Sequence, residues 1–299
     1  MISPLAKPIL FPAIPKRLQK RKPVTIAAGF KFKDGILVCA DTQYTSSVKF
    51  HQSKISSATV ASDKFDYLEM VFAMSGTDGH MQMAVEVCED AISRCDVADS
   101  GFIYEARDQC ASALATLYEK HFFPHKLYGY EGGPSASLII GIYVTGEGSD
   151  LLWTHETAVT FADKYHIVGS GSDLARYAIE PLFQDDLTLD EVTLLATHAL
   201  RVTKQGDPYC GEKSQFAAIF DSGLTSEVEE FEVIQGESYS ETFQGIMRKL
   251  FFAGADVEMT KYDIGEMIDD VKLEIGVIRR EQQREREKRQ KLIQKLSEQ

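Results

Sequence analysis

The stretch Val24-Thr-Ile-Ala-Ala-Gly-Phe-Lys-Phe-Lys-Asp-Gly35, followed at once by Ile36-Leu-Val-Cys-Ala-Asp41, decides how the chain begins to fold. Two short strand patterns flank a Lys-Asp-Gly turn, which is typical of a β-hairpin whose Gly supplies a positive φ. Thr25 opens the first strand and Asp41 closes the second. Antiparallel pairing is therefore expected to bring Thr25 and Asp41 together.

The composition describes a chain that can bury a substantial core. It has 299 residues, of which 44% are hydrophobic, and a formal net charge of −13. A single globular domain with tails is expected at this length. The negative charge argues against nucleic acid and anionic membrane surfaces as partners. No uninterrupted apolar run reaches about eighteen residues, so no membrane span is predicted.

Cysteine and histidine usage indicates the compartment and argues against a metal site. The chain has an odd number of cysteines without CxxC spacing: Cys39, Cys88, Cys95, Cys110 and Cys210. This pattern favours reduced thiols in a reducing compartment, which predicts a cytoplasmic protein. The seven histidines are scattered without ligand-like spacing, so neither a metal nor another cofactor is expected.

Residues 1–24 differ in composition from the rest of the chain. They hold five of the nine prolines and six Lys or Arg, with no acidic residue. Proline every three or four positions opposes helix formation and favours extended chain. Two interpretations remain open: a basic leader or propeptide, or a disordered tail.

The order of the predicted elements indicates the fold class. A polar loop is expected from Gln43 to Ser53. Strands are predicted at Lys54–Val60, Tyr67–Ser75, Ala136–Val144, Leu151–His155, Tyr165–Val168, Gln215–Phe220 and Phe231–Ile234, and helices at His80–Arg94, Ile103–His121, Asp173–Leu182 and Leu189–Lys204. Such segregated runs of strands and helix pairs predict an α+β layered architecture.

The last forty residues form a separate charged segment. Apolar residues recur at helical spacing up to Ile275, and residues 279–299 carry eight Lys or Arg against four Glu. We therefore divide the chain into a leader (1–24), a main domain (25–256) and a charged C-terminal helix (257–299). The helix either lies in solvent or forms a coiled-coil or assembly contact, for which Leu292 and Leu296 supply a short apolar seam.

Three residues could cooperate in nucleophilic catalysis. A threonine hydroxyl needs a base, and one solution makes the threonine the chain terminus so that its own α-amine accepts the proton. A nearby lysine can hold that amine neutral, and an aspartate can orient the group. Thr25, Lys54 and Asp41 could supply these roles, although a threonine at a strand start is by itself an ordinary strand former.

An ordered set of motifs resembles the landmarks of proteasome β-type subunits. The motifs are Thr25 to Asp41, Ser53-Lys54-Ile55, Met74-Ser-Gly76, Val168-Gly-Ser-Gly171 and Asp207-Pro-Tyr-Cys-Gly211. The resemblance covers about Thr25 to Phe220. It implies the four-layer αββα sandwich of the N-terminal-nucleophile (Ntn) hydrolases, and a divergent member of that family.

The resemblance also implies roles for individual residues. After removal of residues 1–24, Thr25 would be the nucleophile of a threonine protease or amidohydrolase that acts on a peptide or another amide. Asp41 would orient the site, and Lys54 would lower the proton affinity of the amine. The other implied site residues are the oxyanion donor Gly76, the supporting polar residues Ser170 and Asp207, and the specificity-pocket residues Tyr44 and Met74. A ring-type homo-oligomer is the implied assembly.

Alternative functions follow from departures in the sequence. Val24 stands where self-processing members usually carry Gly, and Cys210 stands in place of a supporting serine. A non-catalytic assembly subunit that keeps its leader is therefore the alternative to the enzyme. The presence of both Asp41 and Lys54 favours the enzyme. In a third interpretation the C-terminal helix is the functional part, and the body is its scaffold.

Overall fold

The computed structural model describes residues 25–45, 49–62, 65–95, 101–127 and 133–297. The predicted leader, residues 1–24, lies outside the described residues. The strands are β1 (Ile26–Phe32), β2 (Gly35–Asp41), β3 (Gln43–Thr45), β4 (Lys49–His51), β5 (Ile55–Ser62), β6 (Phe65–Gly76), β7 (Ala136–Val144), β8 (Gly148–His155), β9 (Ala158–Phe161), β10 (Tyr165–Gly169), β11 (Ser214–Phe220) and β12 (Thr225–Glu227). The helices are α1 (His80–Ser93), α2 (Phe102–Leu117), a π-helical turn (Tyr118–Phe122), α3 (Phe123–Leu127), α4 (Ser172–Ile179), α5 (Leu189–Gly206), α6 (Glu230–Ala253) and α7 (Lys261–Ser297).

Two antiparallel sheets form the centre of the molecule. One has the strand order β10-β1-β2-β11-β12, and the other has the order β5-β6-β7-β8-β9. Their facing surfaces pack together through small and branched side chains such as Ala27, Val38, Val71 and Ile139. Alternation along each strand sends the other side chains to the outer faces, where helices cover them.

Helices cover both outer faces of the sheet pair. Met81 and Cys88 of α1 and Leu114 of α2 pack on the second sheet. Ala175 of α4 and Leu195 of α5 pack on the first sheet. The result is the α+β architecture predicted from the order of elements, in the four-layer αββα form that the family resemblance implied.

The opening hairpin has the predicted form. β1 and β2 pair antiparallel from Phe32↔Gly35 to Ala27↔Ala40. Gly35 has a φ of 155°, and a Cβ there would lie 2.1 Å from the carbonyl oxygen of Ile219. Only glycine fits this turn, because both the backbone conformation and the close approach of β11 exclude a side chain.

Several element predictions need correction. The polar loop predicted for Gln43–Ser53 contains the short hairpin of β3 and β4, although residues 46–48 lie outside the described part. The second predicted helix continues past Pro124, through the π-helical turn into α3. Strands β9 and β12 were missed.

The strand predicted at Phe231–Ile234 is wrong, because these residues lie in the first turns of α6. Glu229 and Glu232 form a reciprocal capping box at the start of this helix. Val233 and Ile246 are buried, and α6 lies along α5. Capping and tertiary packing therefore overrode the strand preference of an aromatic and β-branched run.

Among the helices of the described residues, none combines the length and apolar character needed to cross a membrane.

Candidate functional site

Thr25 and Asp41 meet at the open end of the β1–β2 hairpin, as the sequence predicted. Both side chains are fully buried. The Thr25 hydroxyl donates to Asp41 Oδ1 at 2.5 Å, and the backbone N–H of Ile26 donates to the same oxygen at 3.1 Å. The hairpin register thus places the hydroxyl directly against a carboxylate.

Lys54 completes a buried cluster with these two residues. It lies just before β5, where its carbonyl accepts the N–H of Met74 at 3.0 Å and its own N–H donates to Gln215 Oε1 at 3.1 Å. Its Nζ donates to Asp41 Oδ1 at 2.7 Å, to the Gln43 carbonyl at 2.5 Å and to the Thr25 hydroxyl. Three acceptors use the three protons of an ammonium group.

Burial sets the electrostatics of the Lys54 side chain. Desolvation lowers the pKa of Lys54 below its usual value, and the neighbouring Asp41 carboxylate opposes this effect. The Lys54 amine therefore lies against the Thr25 hydroxyl, and the Asp41 carboxylate stabilises its protonated form. Removing either charge would leave the other buried and unpaired.

Gly76 ends β6, two residues after Met74, whose N–H donates to the Lys54 carbonyl. Its φ is 146°, and a Cβ there would lie 2.1 Å from the Ser135 carbonyl oxygen. Ser135 also accepts the N–H of the next residue, Thr77, at 2.8 Å. A side chain at Gly76 would therefore displace the Ser135 backbone just before β7.

Ser170 and Asp207 lie near the cluster without a hydrogen bond to it among the described residues. Ser170 Oγ is 4.0 Å from Cys210 Sγ, a long contact between weak partners. Asp207 follows α5 directly and accepts the N–H of Tyr209 at 2.9 Å. Burial is the main cause that raises the pKa of the Cys210 thiol far above its usual value, so the group stays neutral.

Tyr44 and Met74, the two expected pocket residues, belong to one buried cluster that includes Met81 of α1. Lys54 Nζ lies 4.9 Å from the centre of the Tyr44 ring. Burial, and secondarily the Asp78 and Asp41 carboxylates, raises the pKa of the Tyr44 phenol well above its usual value. The phenol is therefore neutral beside the ammonium.

Two contacts of the cluster were not predicted from the sequence. The Gly211 N–H donates to Asp41 Oδ2 at 2.9 Å, and the Gln43 carbonyl accepts from Lys54. Gly211 ends the motif Asp207-Pro-Tyr-Cys-Gly211, and that motif is the signal in the sequence that points to this contact. Gln43 acts through its backbone, so its side chain gave no signal. Within the described residues, no group of three or more His, Cys, Asp or Glu is placed to hold a metal ion.

Comparison with known proteins identifies relatives of the part of the chain that contains the two sheets. A family model described as "Proteasome subunit" matches residues 24–219. The chain is 27% identical to proteasome subunit beta 2 of Thermococcus onnurineus over 72% of its length and 99% of that protein. It is 25% identical to proteasome subunit beta 1 of Pyrococcus furiosus, over 70% of this chain and 98% of that one.

Solved structures agree in fold. An Anbu mutant from Hyphomicrobium sp. strain MC1 superposes with a TM-score of 0.61 at 15% identity, covering 79% of this chain and 99% of that chain. A structure titled "Helical Assembly of the Anbu Complex", from Pseudomonas aeruginosa, gives a TM-score of 0.60 at 14% identity, with 75% and 96% covered. With the family match over more than half of the sequence, these results show that the chain belongs to the proteasome subunit family of Ntn hydrolases, as a divergent β-type member.

Proposed function

We propose that this protein is a threonine-type amidohydrolase or peptidase in which Thr25 attacks an amide carbonyl after the leader is removed. The observation that supports this most is the buried cluster of Thr25, Asp41 and Lys54. A hydroxyl placed between a carboxylate and an ammonium, away from water, is the arrangement that an activated nucleophile requires. Membership of the chain in the proteasome subunit family agrees with this chemistry.

The reaction divides into two steps at Thr25. The hydroxyl oxygen bonds to the amide carbon while its proton passes to the freed α-amine of Thr25, and the leaving amine takes a proton as the C–N bond breaks. Water then hydrolyses the acyl ester. Asp41 orients the hydroxyl, and the Lys54 ammonium lowers the proton affinity of the α-amine so that it remains a base near neutral pH.

The remaining roles concern charge and specificity. The Gly76 N–H donates to the oxyanion that forms on the carbonyl oxygen, where a positioned donor has its largest effect. Ser170 and Asp207 support the loops around the nucleophile. Tyr44 and Met74 border the side-chain pocket, which their packing with α1 makes largely apolar.

A non-catalytic assembly subunit is the second candidate. Val24 precedes Thr25, and a branched side chain before the scissile bond hinders attack by the Thr25 hydroxyl on its own preceding carbonyl. If the leader stays, Thr25 has no free amine and the cluster has no base. The buried ion pair would then serve the fold alone.

Intact mass and N-terminal sequencing distinguish the two candidates. The wild-type chain is expected to begin at Thr25, and the Thr25→Ala variant is expected to keep its leader. Thr42→Ala is the matched control, because Thr42 is also buried but donates to the Lys213 carbonyl, and it should be processed like the wild type. A wild type that begins at Met1 or Ile2 favours the assembly subunit.

We also propose that the protein acts as a cytoplasmic homo-oligomer. All five cysteines are buried free thiols, which supports a reducing compartment. The Anbu neighbour from Pseudomonas aeruginosa is described as a helical assembly, and ring assembly is the family expectation. Light scattering of the purified chain tests this proposal, and a monomer at cellular concentration contradicts it.

A further inference from the structure

A cavity of about 250 Å³ lies between α5 and α6, at the opposite end of α5 from Asp207. Its apolar wall comes from the α4–α5 loop, α5 and α6, and consists of Leu182, Leu187, Leu194, Leu195 and Phe243. His198 Nδ1 pairs with Ser240 Oγ at 2.7 Å, and the ring meets Phe243 edge to face. Burial lowers the pKa of His198, so the imidazole is neutral at pH 7, and Glu191 adds a carboxylate to the lining.

The rim of this cavity is formed in part by the loop that leads into α5, and this loop is acidic. Residues 180–191 contain no Lys or Arg and five carboxylates, namely Glu180, Asp185, Asp186, Asp190 and Glu191. From outside the loop, Lys164 pairs with the Asp185 carboxylate at 2.6 Å, and Tyr165 donates its hydroxyl to Glu180. Arg201 of α5 forms an ion pair with Glu241 of α6 at 3.3 Å. An occupant of this site should therefore combine apolar side chains with positive charge.

The leader of this chain has that composition in one continuous segment. Ile9-Leu-Phe-Pro-Ala-Ile14 is apolar, and residues 16–22 contain five Lys or Arg. We propose that residues 9–22 of the leader dock on the same chain's α5–α6 cavity, with the apolar part inside and the basic part on the acidic rim. Charge complementarity and apolar burial then act together.

The distances allow this contact within one molecule. Ile14 is eleven residues before Thr25, and an extended chain of that length spans at most about 36 Å. From Leu194 to Asp207, α5 rises by only about 20 Å, and the loop after Asp207 contacts Asp41 through Gly211. A docked leader would be held on the body whether or not the Val24–Thr25 bond is later cut, so the proposal does not depend on catalysis.

Photo-crosslinking in the full-length Thr25→Ala chain tests the docking. Phe11 is replaced by p-benzoylphenylalanine, and intact mass first verifies that the leader is present. After irradiation, cross-links are expected within residues 182–195 or 239–243, in a product of monomer mass. Cross-links to other parts of the body, links to a second copy, or no cross-link at all would overturn the proposal.

Paired charge variants test the contribution of the acidic rim. Asp186→Asn with Asp190→Asn should lower the cross-link yield about threefold to tenfold, as expected for two exposed charge contacts. Asp269→Asn with Asp270→Asn makes the same charge change on α7 and should leave the yield unchanged. Leu194→Trp, which fills the cavity, should lower the yield while circular dichroism shows an intact fold. Equal yields in all variants would contradict the proposed site.

Discussion

Asp41 is the residue on which the buried cluster depends. Its carboxylate accepts hydrogen bonds from the Thr25 hydroxyl, the Lys54 amine and the Ile26 and Gly211 backbone N–H groups. Asp41→Asn leaves the Lys54 charge buried without a counter-charge. We expect the free energy of unfolding in urea to fall by about 3–5 kcal/mol and amide hydrolysis to fall by about a hundredfold or more.

A double variant separates the electrostatic cost from the catalytic role. Asp41→Asn combined with Lys54→Met removes both charges, so much of the lost stability should return. Hydrolysis should not return, because neither the orienting carboxylate nor the ammonium is present. If the double variant is as unstable as Asp41→Asn alone, the charge pair is not the origin of the effect.

His166 makes the protein less stable in acid. Its ring stacks on the Trp153 indole at 3.8 Å with an angle of 8° between the planes. Burial, and secondarily Arg176, lowers the pKa of His166 to about 4. In the unfolded chain the His166 imidazole has a pKa near 6.5, so below that pH it binds a proton that it does not bind in the folded chain. The free energy of unfolding therefore falls as pH drops from about 6.5 to about 4. Because solvent reaches part of the ring, the expected loss is about 1–2 kcal/mol.

The single tryptophan reports this titration directly. An imidazolium stacked on the indole quenches its emission, so the Trp153 fluorescence should fall with a midpoint near pH 4 while the far-UV circular dichroism stays constant. His166→Gln should abolish this midpoint, and His155→Gln, an exposed control on the same strand as Trp153, should keep it. An unchanged titration in His166→Gln would show that another group is responsible.

At the scale of elements, α2 is capped by a residue from another part of the chain. The Glu147 carboxylate, in the β7–β8 turn, accepts the N–H groups of Gly101, Phe102 and Ile103 at 2.8, 2.6 and 3.2 Å. A carboxylate there satisfies donors that the helix leaves open and complements its dipole. Glu147→Gln should therefore lower the free energy of unfolding by about 1–2 kcal/mol in urea titrations.

Glu105→Gln is the matched control for this cap. Glu105 lies in the first turn of the same helix, but its carboxylate accepts from the Gln109 side chain and not from the backbone. Its loss should cost less than about 0.5 kcal/mol. A control variant as unstable as Glu147→Gln would assign the effect to general charge at the helix end.

The elements that could be predicted from the sequence are those with local signals. The β1–β2 hairpin was predicted because two strand patterns and a glycine turn are contiguous, and α5 because its apolar residues recur at helical spacing. The Glu147 cap could not be predicted, because more than forty residues separate it from the first turn of α2. Lys54 is also distant from Thr25 in sequence, so its role beside Thr25 was supported mainly by the family resemblance. The strand predicted at Phe231–Ile234 was wrong because it followed local propensity, which tertiary packing overrode.

At the scale of the whole molecule, the residues beyond the family match expose large apolar side chains. Phe251 and Phe252 at the end of α6 are 76% and 63% exposed, and Ile264 and Ile268 on α7 are also exposed. Apolar surface of this extent is typical of a contact surface, and it favours the assembly interpretation of the C-terminal helix over a solvated one.

Phe251→Ser with Phe252→Ser tests whether this surface joins copies of the chain. Burying two phenylalanines contributes about 3–6 kcal/mol, so the double variant should associate at least about a hundredfold more weakly by light scattering across a dilution series. Its melting temperature at concentrations where both proteins are monomeric should match the wild type, because the two rings contribute little to the body of one chain. Leu224→Ser, which removes an exposed apolar side chain elsewhere, should assemble normally. If the double variant assembles like the wild type, the contact between copies lies on another face.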